Sequence, residues 1–317
     1  MKLQSIKKKS KLAYLKNVWP TLLLFVGFFI FEIAYMVIIY KFHTQMYKFS
    51  FLGNKTSLWV VYGTGLIISL GLLGFYFFVR KNPEEKSLFI KLFCLLPLLN
   101  SFPLVYIDIW DSLKNNKYEL FQIPQIFFVP SLCNINMYLI IYLCFGKKKN
   151  AIYGSLAYFF IFTGIAGGLI NSIGFPFTNT LNPDDSHPAI LYKLFANEYT
   201  HISLWCIAII AIKEKWAKFN LVNVLWFTFY LFLTFLWGFW ELKVFGDSDG
   251  TVFGGNPGMY IAYGMLGQDD KIFRIYTIYS IGIVACFFIS LTYELTLMPK
   301  KERFYSKKFN ILDTYWK

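Results

Sequence analysis

Long apolar runs, separated by short polar stretches, dominate the chain. Eight can be drawn, at roughly 18–40, 57–79, 88–110, 125–146, 151–173, 190–212, 221–241 and 275–297. About 20 consecutive apolar residues in a helix span the hydrocarbon core of a bilayer, and a soluble core helix rarely needs as many. The pattern predicts an all-α fold: a polytopic transmembrane helix bundle of about eight spans. The third run is the most interrupted, by Lys91, Pro97, Asn100, Pro103 and Asp108. Such residues are tolerated in a span where neighbouring helices or water satisfy the freed backbone. The basic segment before the first run resembles the start of a signal peptide. The run itself is longer than a signal-peptide core and is followed by no small-residue cleavage site, so it reads as a retained span.

The polar stretches alternate in charge. The N-terminus, 80–91, 147–149, 213–218 and the C-terminus hold 22 of the 31 Lys and Arg residues. The opposite set, 41–56, 111–124, 172–193 and 242–274, holds nine. Basic residues in short loops stay on the cytoplasmic side, so both termini are expected inside, in the plasma membrane. An odd number of spans would put one strongly basic end outside. No internal repeat and no long linker divides the chain, so residues 1–317 read as one integral membrane domain with basic tails.

Composition sharpens this picture. Apolar residues make up 56% of the chain and charged residues 15%, against about 25% in soluble proteins. The net charge of +13 follows from the loop lysines and needs no nucleic-acid partner; no RNA- or DNA-binding signature is present. Cys94, Cys133, Cys144, Cys206 and Cys286 all lie in apolar runs, and none forms a Cys-x-x-Cys pair. Neither a disulfide framework nor a zinc site is expected, and no cofactor is implied.

Polar residues inside spans are costly and often functional. The candidates are Glu32, Asp108, Cys133, Asn134, Asn136, Asn171, Asn197, Glu198 and His201. His201 has Glu198 at i−3 and Asn197 at i−4 on one helix face. Such neighbours can fix an imidazole's tautomer and raise its basicity, as a general base requires; from the residue alone, a buried histidine bonded to another helix is the commoner case. Counted from the outer ends of their runs, Cys133 lies roughly 12 Å deep and His201 roughly 16 Å, so the two can meet if runs four and six pack together. A thiol in apolar surroundings is inert unless a base stands beside it. Asn134 or Asn136 can donate to a developing oxyanion. Glu32 reads as an ion-path carboxylate, a partner for His201 or a structural group.

PSLCNI at 130–135, GIAGGLINSIGFPFTNT at 164–180 and the run bearing His201 together resemble the YwaF-type integral membrane family, which includes an animal branch of transmembrane lysophospholipid acyltransferases. The resemblance runs from about Phe128 to Ile212, and more loosely to GGNPGMY at 254–260, a third to a half of the chain. It implies that Cys133 is the nucleophile and His201 the histidine that assists it. It also matches Pro176 and Asn179 to residues of the outer loop. The animal branch has a histidine directly after the cysteine, where this chain has Asn134. Bacterial relatives often carry a histidine two residues before it, where this chain has Ser131.

Three functions fit these residues. One is a membrane-embedded acyltransferase or acyl hydrolase acting on phospholipids, with Cys133, His201, Asn134 and Glu198 at the chemistry and Glu32, Asn136, Asn171, Pro176, Asn179 and Asn197 supporting it. A second is a transporter or channel with a polar path through Glu32, Asp108, Glu198 and His201. The third is a non-catalytic membrane protein that uses its outer loops.

Overall fold

The computed structural model describes residues 11–46, 56–79, 81–114, 132–146, 151–178, 188–245 and 271–303. Side chains at 101–114, 170–178, 188–194, 197–198, 238–245 and 271–278 are among those not described within the helices. The described residues form helices and no strand. These are α1 (Lys11–Met46), α2 (Thr56–Val79), α3 (Pro83–Lys114), α4 (Leu132–Phe145), α5 (Ala151–Thr178), α6 (Pro188–Lys213), α7 (Leu221–Phe245) and α8 (Lys271–Thr296). Each overlaps one apolar run. The interrupted third run is a continuous helix through Pro97 and Pro103. The run expected at 125–146 is described as helix only from Leu132, and 115–131 lie outside the described residues.

Among the described residues, three helices are long and apolar enough to cross a membrane, through Tyr14–Tyr35, Ile152–Leu169 and Tyr279–Thr296. Shorter apolar stretches occupy Gly63–Val79, Leu132–Phe145, Tyr199–Lys213 and Leu221–Trp237. The helix faces explain how they are used. On α1, Val18, Thr21, Phe25, Phe28, Glu32 and Tyr35 recur every three or four residues and are buried. On the other face Trp19, Leu23, Val26, Ile30, Ile33 and Val37 are 54–63% exposed. Similar outward stripes run along α7 (Leu225, Phe229, Phe232, Leu236) and α8 (Ile281, Val284, Phe288, Leu295). A soluble monomer rarely shows contiguous apolar patches beyond a few hundred Å². Lipid chains are the solvent such faces fit.

The sixth helix is the hub. From Phe195 to Ala211 every described residue except Trp205 and Ile209 is buried, and α6 packs against α1, α2, α3, α4 and α5. A helix buried on nearly every side belongs to the interior, and here it takes polar Thr200, His201 and Ser203 in with it. Ala196, Ser203, Ala208 and Ala211 keep it slim enough for close neighbours. Paired contacts give the helix directions. Phe28 meets Tyr199 and Tyr35 meets Phe195, so α1 runs antiparallel to α6. Ser69 meets Ser203 and Tyr76 meets Glu214, so α2 runs parallel to it. α7 and α8 join through α5, by Ser155 on Tyr230 and Tyr158 on Ser290.

One end of the bundle is tied by polar groups. Asn17 donates to Glu84 at 3.0 Å and Thr21 to Glu85 at 3.2 Å. Glu214, at the close of α6, accepts from the Tyr76 hydroxyl at 2.6 Å and from Lys86 at 2.9 Å. Lys218 pairs with Glu302 at 3.5 Å, and Lys91 lies over the Phe145 ring. These contacts gather residues in or beside all five segments of the basic set at the same end of the molecule.

Candidate functional site

The fifth helix carries Gly164, Gly167 and Gly168, spaced so that they share one face. That face is a seam between α4 and α6. A Cβ placed on Gly167 would stand 3.3 Å from the Cys133 sulfur. One placed on Gly168 would stand 2.6 Å from the His201 carbonyl oxygen and 3.0 Å from the Trp205 ring. One placed on Gly164 would stand 3.2 Å from the Phe160 ring and in ordinary contact with the Leu204 carbonyl and the Ala208 methyl. At Gly168 glycine is required for close approach of the two backbones. Two adjacent residues of α5 therefore lie against Cys133 on one side and the backbone of His201 on the other. The Gly167–Gly168 turn brings the two main candidates to one level of the bundle.

Cys133 is buried and lies in the first turn of α4. His201 is buried in α6. Asn136, one turn after Cys133 on the same face, is fully buried. Thr163 of α5 lies 3.0 Å from Asn136 Oδ1 and 2.7 Å from the Phe159 carbonyl, and its single hydroxyl proton serves one or the other. Asn136 Nδ2 has no hydrogen-bond partner. An unpaired buried amide donor is costly, and it is the type of group that steadies a developing negative oxygen. Asn134 is half-buried, and as the next residue after Cys133 it leaves the helix about 100° away. Of the two asparagines, Asn136 shares the cysteine's face.

Glu32 belongs elsewhere. It sits on the inward stripe of α1 beside Asn100 of α3 and Tyr199 of α6. Tyr199 and His201 are two residues apart, so their side chains leave α6 about 200° apart. The Glu32 cluster and the Cys133 seam thus flank opposite sides of α6, which sets Glu32 apart from His201. The side chains of Asn197, Glu198, Asn171, Pro176 and Asp108 lie outside the described residues, as does Asn179 entirely. No disulfide joins any of the five cysteines. Among the described residues no three His, Cys, Asp or Glu side chains gather to hold a metal ion.

Nothing in the sequence singles out Thr163, Tyr199 or Tyr35. Thr163 lies four residues before Gly167 on α5, a spacing that carries a signal only once the seam is known. Tyr199 lies two residues before His201 and looks like an ordinary aromatic of an apolar run. No family model, curated protein or solved structure matches the chain.

Proposed function

We propose that the chain crosses the plasma membrane eight times with both termini in the cytoplasm, and that it transfers or hydrolyses phospholipid acyl chains through Cys133 and His201. The convergence of the basic segments at one end of the bundle supports the topology. The observation that carries the chemistry is the Gly167–Gly168 turn, whose two residues lie against the Cys133 sulfur and the His201 backbone. The resemblance to the YwaF-type family assigns the same pair.

In this reading His201 takes the thiol proton as the Cys133 sulfur attacks the carbonyl carbon of a phospholipid ester. Asn136 Nδ2 donates to the oxyanion of the tetrahedral intermediate. The intermediate expels the glycerol oxygen, which takes the proton back from His201 and leaves as a lysophospholipid. The acyl group stays on Cys133 as a thioester. A lysophospholipid hydroxyl, or water, then attacks that thioester. His201 receives the acceptor's proton and returns it to the departing sulfur. The product is a remodelled phospholipid or a free fatty acid, and the thiol is restored. The outward apolar faces of α1, α7 and α8 keep the bundle among its substrates.

The test is transfer of a labelled acyl chain from phosphatidylcholine to a lysophospholipid by purified protein in vesicles. Cys133→Ala is expected to abolish transfer, and His201→Ala to lower it by about 10²–10⁴-fold. Full activity of a folded Cys133→Ala protein would exclude the mechanism.

A further inference from the structure

We propose that Glu32, Asn100, Tyr35 and Tyr199, between α1, α3 and α6, form a binding site for a monovalent cation with Glu32 as its counter-charge. The site goes beyond acyl transfer and uses none of its residues. All four side chains are more than nine-tenths buried. Four of their polar atoms are hidden from solvent and make no hydrogen bond: Glu32 Oε1, Asn100 Nδ2 and the hydroxyls of Tyr35 and Tyr199. Asn100 stands near Glu32, Thr64 near the Tyr35 hydroxyl and Ser203 near that of Tyr199, but these atoms are not in hydrogen-bond geometry with them. Each orphaned group would be costly in an apolar interior. Their gathering from three helices points to a ligand.

The chemistry selects its charge. The described ion pairs, Lys86–Glu214 and Lys218–Glu302, do not include Glu32. With Glu32 ionised, a neutral ligand satisfies the hydroxyls but leaves the buried carboxylate uncompensated. A cation answers the carboxylate and accepts the phenolic oxygens as ligands. The Asn100 amide can offer its oxygen by a half-turn of its terminal torsion. Aromatic rings pack on the same helices: Tyr35 lies 4.7 Å from Phe195 and Phe28 lies 5.4 Å from Tyr199, centroid to centroid. Ring faces attract ammonium groups as well as metal ions. With one carboxylate the site suits a single positive charge; divalent calcium sites collect more oxygen ligands and more charge.

The experiment follows thermal unfolding of the full chain in lipid nanodiscs. Sodium, potassium, ethanolammonium or choline chloride is titrated at constant ionic strength against N-methyl-D-glucamine chloride. A saturable rise in the unfolding midpoint with at least one of the four is expected. A response to sodium or potassium identifies a metal ion, and a response to ethanolammonium or choline an organic ammonium. Glu32→Gln should abolish the response, while Cys133→Ala should keep it, which separates this site from the acyl-transfer reading. If Glu32→Gln does not fold, the native chain still decides: a proton competes for the same carboxylate, so cation affinity should fall as pH is lowered, approaching about tenfold per unit once the carboxylate is mostly protonated. No saturable response to any of the four salts, a response that survives Glu32→Gln, or an affinity independent of pH would overturn the proposal.

Discussion

The fully buried Asn136 has the Thr163 hydroxyl 3.0 Å from its amide oxygen and leaves its amide nitrogen unpaired, one turn from Cys133. If that nitrogen serves the oxyanion, its loss acts on the transition state and little on lipid binding. Asn136→Leu is expected to lower the rate constant for transfer by about 10²–10³-fold with a nearly unchanged half-saturating lipid concentration, measured in the vesicle assay. A merely structural asparagine would instead lower the unfolding midpoint and leave the remaining folded protein at full activity. At the polar end, Tyr76 is 1% exposed and donates to the Glu214 carboxylate at 2.6 Å. Tyr76→Phe removes a charge-assisted bond and keeps the ring, so it should destabilise the protein by about 1.5–3 kcal/mol in denaturant titration. Acyl transfer per folded molecule should not change.

Among the helices, the approach of α5 to α4 and α6 sets the geometry of the Cys133 seam. Gly168→Ala sets a methyl 2.6 Å from a backbone oxygen that cannot turn aside, so α5 or α6 must shift. A destabilisation of about 1–3 kcal/mol is expected, with loss of transfer. Gly27→Ala meets nothing within 4 Å and serves as the control. The close of α6 is strained in a different way. Lys215 adopts φ 54°, the left-handed region, while Trp216 N–H donates to the Ala211 carbonyl at 2.9 Å. Glycine is the usual residue at such a helix end. Lys215→Gly should stabilise the chain by up to about 1 kcal/mol, read from the unfolding midpoint. The chain's apolar runs made the helices legible, because each run needs only its own sequence to be recognised. The seam was not legible. α6 is buried on nearly every side, so its sequence does not show which neighbour each face meets, and which helices touch it depends on residues far along the chain. Gly167 and Gly168 stood out as a pair in the resemblance to a known family. Their use as a spacer between Cys133 and His201 emerged only from packing.

For the whole molecule, charge proved the most readable property. The basic segments were grouped by alternation alone, and contacts such as Asn17–Glu84, Lys86–Glu214 and Lys218–Glu302 gather their neighbours at one end. The side of the membrane this end faces can be tested directly. Single cysteines placed at Lys8, Lys148 and Lys308 in a cysteine-depleted chain should escape a membrane-impermeant maleimide in intact cells, and those at Asn182 and Asp249 should react. The reverse pattern would invert the topology. The polar loci on either side of α6 are less readable from sequence, because burial turns Glu32 and Asn100 inward from two different helices. The sharpest single measurement is intact-mass and peptide mapping of the protein after brief exposure to phospholipid without an acceptor. The account predicts one acyl group in thioester linkage on Cys133, released by hydroxylamine and greatly reduced in His201→Ala. Lipid turnover with Cys133 never acylated, at a rate unchanged in Cys133→Ala, would contradict it.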